Sequence, residues 1–211
     1  LYKAMEDCVK YLESRFKDEL SAYELHLQPN ISYRQMIEII QSGGLRVEFD
    51  RVFDDRTIRP DGGVILLKPK SRHEATRIVL VSEAKKQGTN EERIKEGHTR
   101  QAQGNAIERL GKNLAGIRAM MNHEYITPFV CFGWGCDFVE NYGDDFVMSK
   151  ISMMNEFYRL NKIYVYKRDG DGTRNRYAPV SMYFREEQWT REEMFNILKE
   201  VGEDAIRYYL H

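Results

Sequence analysis

The chain has 211 residues, 32 Lys and Arg against 33 Asp and Glu, and a formal charge of −1. A chain of this length buries a full core, so a single domain over residues 1–211 is expected. The balanced charge excludes any argument for nucleic-acid binding from net charge, which must come instead from local clustering such as the basic residues crowded between Lys85 and Arg118. Cys8, Cys131 and Cys136, with the scattered histidines, offer no zinc spacing and read as reduced thiols in a cytoplasmic protein. No apolar run reaches membrane-spanning length and no signal peptide is visible, so no membrane partner is expected. Leu1 in place of Met implies that some native N-terminus is absent.

In chain order, Met5, Val9, Leu12, Phe16 and Leu20 form one apolar stripe, which predicts a helix over residues 2–20 packed on the core. Ser32-Tyr33-Arg34-Gln35 has capping-box form and predicts a short helix through Ile40, stopped at Gly43-Gly44. Leu45 to Phe53 alternates like a half-exposed strand. Arg59-Pro60-Asp61-Gly62-Gly63 is a turn opening the strand Val64-Ile65-Leu66-Leu67. The polar run Lys70 to Thr76 returns the chain as a hairpin into Ile78-Val79-Leu80-Val81, an apolar run expected to be a central strand buried on both faces. Thr89 to Arg100 has no apolar face, so it is a solvated turn or an arm ordered by a ligand. Ile107, Leu110, Leu114, Ile117 and Met121 predict a helix from Asn105, and Ile126 to Phe132 the strand that completes a parallel crossover. Further expectations are a helix from Asp144 to Leu160, a strand at Ile163 to Lys167, a basic loop from Arg168 to Arg176 and a strand at Val180 to Phe184. Thr190-x-x-Glu193 then caps a final helix ending at Leu210. This order gives an α/β fold, a mixed central β-sheet with helices on both faces.

Alternation along the central strand sends Glu83 and Lys85 out on one face. The hairpin sets Asp61 beside Glu83. Two carboxylates and a lysine at neighbouring strand ends make a hard-oxygen cage for a divalent cation with an ammonium close by, which is the chemistry of phosphodiester hydrolysis. The ordinary reading is a turn in which Asp61 accepts local hydrogen bonds, beside a solvated strand end. Context favours the site, because charges at the foot of a core strand are costly unless something compensates them.

Three blocks carry a family resemblance. Ile58-Arg59-Pro60-Asp61-Gly62-Gly63, then Val79-Leu80-Val81-Ser82-Glu83-Ala84-Lys85-Lys86-Gln87-Gly88, then Gly104-Asn105-Ala106-Ile107-Glu108-Arg109 with Lys112-Asn113, closely resemble the EcoRI-type type II restriction endonucleases. These belong to the nuclease superfamily named for its Pro-Asp and Asp/Glu-x-Lys letters. The likeness is strong from about Ile31 to Phe132 and thin near Val180-Ser181-Met182-Tyr183 and the final helix. It implies a restriction-endonuclease-like fold in which Asp61 and Glu83, with the Ala84 carbonyl, hold Mg²⁺ while Lys85 orients or deprotonates the attacking water. It also implies that Asn105 bonds an adenine edge, that Glu108 and Arg109 supply an acceptor and a fork of donors, and that Gly104 and Ala106 permit close approach. Gln87 matches a position that helps in base recognition. The implied substrate is double-stranded DNA at a short palindrome with a central AATT, GAATTC or a close relative, cut by a homodimer to leave 5′-phosphate and 3′-hydroxyl ends. Arg100-Gln101-Ala102-Gln103 departs from the family pattern, which leaves the outer base pair open. Two other readings are carried: a structure-specific or repair nuclease on the same fold, and a non-catalytic DNA-binding module. Carboxylates that repel phosphate speak against the second.

Overall fold

The computed structural model of the protein describes residues 1–42, 56–71, 74–86, 95–98, 111–117, 120–121, 124, 126–134, 163–166, 180–185 and 187–211. The expected strand at Leu45 to Phe53, the helix from Asp144 and the basic loop from Arg168 lie outside these residues. So does the 89–100 segment, apart from residues 95–98, which are exposed.

Helix α1 spans Tyr2–Arg15 and buries Ala4, Met5, Cys8 and Leu12. It ends earlier than the apolar stripe suggests. Phe16 leaves helical geometry at φ −115°, ψ 34°, and Leu20 reaches the core from a 3₁₀ turn over Glu19–Ala22. Both side chains are buried all the same, so the apolar spacing outlasts the helix that it predicts. Strand β1, Tyr23–Gln28, was not expected. The two-residue strands β2 (Ile31–Ser32) and β3 (Thr57–Ile58) pair antiparallel, and helix α2, Tyr33–Ser42, follows β2. Its start is the expected capping box: Gln35 N donates to Ser32 Oγ at 3.2 Å, and Ser32 N donates to the Gln35 carboxamide oxygen at 3.0 Å.

Strand β4, Gly63–Pro69, and strand β5, Arg77–Lys86, form the hairpin, with Gly63 opposite Ser82 and Val64 opposite Val81. Residues 111–117 are helical (α3), within the helix expected from Asn105. Strand β6, Phe129–Trp134, lies parallel to β5, as the crossover predicts. It starts after Pro128, whose carbonyl accepts from Val81 N at 2.8 Å. Strands β7 (Ile163–Tyr166) and β8 (Val180–Arg185) complete a six-stranded sheet in the order β1-β4-β5-β6-β8-β7. It is antiparallel from β1 to β5 and parallel from β5 to β7. Helix α4, Arg191–Leu210, closes the chain with the expected Thr190–Glu193 capping box.

Helices cover both faces of this mixed sheet. Helices α1 and α4 pack together on the face to which Ser82 points: Cβ positions at Gly62 and Gly202 would meet Leu1 and Leu12 of the α1 segment, and Tyr209 Oη donates to Ile78 O at 3.1 Å. Helix α3 covers the opposite face, where Leu114 and Ile117 are fully buried. Between the layers Ile65, Leu66, Leu67, Ile78, Leu80, Phe129 and Phe132 lose almost all contact with solvent. Each contributes about 1.5–3 kcal/mol relative to exposure. This packing makes the end of β5 a fixed platform.

Candidate active site

The hairpin brings Asp61, Glu83 and Lys85 together. Gly63 adopts φ +80° to turn the chain into β4, and its N–H donates to Pro60 O at 3.0 Å. Gly62 N donates to Ser82 O at 3.0 Å, which holds the turn against the strand. Asp61 is thereby pinned across from the end of β5. Its backbone N–H donates to Glu83 Oε2 at 3.1 Å, and its Oδ2 accepts from Ala84 N at 3.2 Å. Lys85 Nζ bridges the two acids, donating to Asp61 Oδ2 at 3.3 Å and, closely, to Glu83 Oε1.

The environments of the three groups differ. The Glu83 side chain is 3% exposed, Lys85 16% and Asp61 51%, so the cluster is dry at one end and open to solvent at the other. Burial pushes the Glu83 carboxyl above its ordinary range against the pull of the Lys85 ammonium, and the nearby Asp61 charge adds to the upward push. Burial alone would lower Lys85, but the hydrogen bond and charge of Glu83, helped by Asp61, hold it above its usual value. Lys85 is therefore an ammonium at neutral pH.

Two carboxylates against one ammonium leave a negative excess around a nearly dry oxygen. That donor set suits a small hard divalent cation. Asp61 and Glu83 would supply anionic oxygens and Ala84 a main-chain carbonyl; among the described residues no cluster of three or more His, Cys, Asp or Glu exists, so water and substrate oxygens would complete the shell, as Mg²⁺ favours.

Asn113 also belongs to this cluster, although the sequence reading gave it no role. Its Nδ2 donates to Glu83 Oε1 at 3.3 Å from helix α3 on the other side of the chain. Its spacing of four from Ile117 puts it near the helix's buried face, the one cue the sequence held. The expected reading residues Gln87, Gly104, Asn105, Ala106, Glu108 and Arg109 lie outside the described residues, a few positions beyond the ends of β5 and α3. Leu114, Ile117 and Met121, which carry the helical spacing, are buried within this chain, as is Met120.

A family model described as restriction endonuclease EcoRI matches residues 3–210. The chain is 31% identical over 133 residues to the type II restriction enzyme RsrI of Cereibacter sphaeroides, covering 59% of this chain and 47% of that protein. It is 37% identical over 91 residues to the type II restriction enzyme EcoRI of Escherichia coli, covering 39% of this chain and 32% of that protein. The matches thus span about half or less of the curated relatives. With the mixed sheet and a family match that runs through both helical ends, the chain belongs to the EcoRI restriction endonuclease family.

Proposed function

We propose that the protein is a Mg²⁺-dependent type II site-specific deoxyribonuclease, a cytoplasmic homodimer that hydrolyses double-stranded DNA at a short palindrome with a central AATT. The observation that carries the reading is the convergence of Asp61, Glu83 and Lys85 at one strand end, in a chain of this family. Asp61, Glu83 and the Ala84 carbonyl hold the cation, which when bound supplies Lewis-acid polarisation of the scissile phosphate and more acidic water.

The chain's own residues do the rest. Lys85, held as an ammonium by both acids, offsets the charge that gathers on the phosphate and orients the attacking water. Asp61, half exposed, is the carboxylate that meets the substrate side, while Glu83 anchors the cluster from within. Base reading falls to Gln87 and to the block with Gly104, Asn105, Ala106, Glu108 and Arg109, whose amide, carboxylate and guanidinium groups suit major-groove edges. A palindrome read by one such block per half-site requires a two-fold pair of subunits.

Digesting plasmid DNA in Mg²⁺ tests this directly. Discrete fragments are expected, all with the same short terminal sequence, 5′-phosphate and 3′-hydroxyl. A smear, cuts that follow nicks or junctions irrespective of sequence, or uncut DNA overturns it.

A further inference from the structure

We propose that Asn113 is a positioning residue that fixes the orientation of Glu83 for cation binding. The inference rests on the reading of Asp61, Glu83 and Lys85 as the metal site. A carboxylate only accepts, so the contact at 3.3 Å must use the amide nitrogen of Asn113, which settles the way its amide faces. Glu83 is held at three points. Lys85 Nζ and Asn113 Nδ2 reach Oε1, and Asp61 N reaches Oε2. Two of these come from the hairpin itself and move with it. Asn113 comes from outside, across the sheet face.

Gly116, one turn further along α3, faces the Ile58 side chain, whose Cδ1 would lie 2.7 Å from a Cβ placed there and is a side-chain end free to turn aside. Ile58 lies three residues before Asp61, so α3 also lies against the segment that carries that carboxylate. Hydrogen bonds that orient a ligand are worth roughly 10–100-fold in metal affinity.

The test is Mn²⁺ binding, followed by electron paramagnetic resonance on the full chain without DNA, beside plasmid cleavage across a Mg²⁺ series. Asn113→Ala should raise the Mn²⁺ half-saturation about tenfold. Cleavage should fall at low Mg²⁺ and recover at high Mg²⁺. Wild-type metal response in Asn113→Ala overturns the proposal, as does a cleavage loss that no Mg²⁺ concentration relieves. If Asn113→Ala does not fold, Asn113→Leu, close in shape but without the amide donor, is measured in its place, and wild-type Mn²⁺ affinity in that variant overturns it. Glu83→Gln separates the layers: if that variant takes Mn²⁺ as well as wild type, the metal-site reading itself has failed.

Discussion

Glu83 is the buried charged side chain among the described residues, and its cost is met by Lys85, Asp61 N and Asn113. Replacing Glu83 or Lys85 with Ala should lower plasmid cleavage by about a thousandfold or more, while gel-shift affinity for DNA without metal stays close to wild type. Gly63→Ala should destabilise by about 1–3 kcal/mol in urea unfolding, since the position needs φ +80° and a Cβ would come within 2.6 Å of Gln28 O. Asp61, two residues away, should lose its register and activity should fall with stability. The three charged groups were legible because strand alternation and a hairpin turn are local rules. Asn113 was not, because it meets Glu83 across thirty residues of sequence, and no periodicity encodes that distance.

The elements divide in the same way. Helix α4 could be read from its capping box, in which Glu193 N donates to Thr190 Oγ1 at 3.2 Å and Thr190 N donates to the Glu193 carboxylate at 3.0 Å. Thr190→Ala should cost about 1 kcal/mol, measurable as a lower urea midpoint with unchanged slope. Strand β1 escaped notice because its alternation is short: Leu25 is buried and Leu27 half-buried, with Glu24 before them and His26 between them. Pairing with β4, in which Leu25 faces Leu67 and Leu27 faces Ile65, rather than intrinsic pattern, makes it a strand. The parallel strand after the crossover was legible, though Pro128, lacking an N–H, delays its start to Phe129.

For the whole molecule, α1 and α4 form a clasp beneath the sheet, tied where Arg191 Nε and Nη2 each donate to Asp7 at 2.6 Å. The Arg191 hydrogen bonds hold the Asp7 carboxyl below its ordinary value. Burial would raise Glu203, but the Tyr11 hydroxyl and Arg207 together hold it below its usual range. Folded values that lie below unfolded ones give stability that is present above the unfolded carboxyl values and lost as pH falls through the lowered ones. Thermal stability should therefore decline as pH falls into and below the ordinary carboxyl range, and Asp7→Asn should flatten part of that decline. Glu83 has the opposite sign: its raised folded value means that its charge opposes folding as pH rises through it. Added Mg²⁺ should accordingly raise Tm at neutral pH, and Glu83→Gln should remove the rise.

Strand β5 is bonded to β4 on one side and β6 on the other, so no solvent-facing edge runs beside Glu83. In heavy water its amides should keep their protons until the sheet as a whole opens, while those of α2, which buries no residue, should be replaced early by local fraying. Isotope uptake would then rank the strand that bears Glu83 among the slowest segments of the chain.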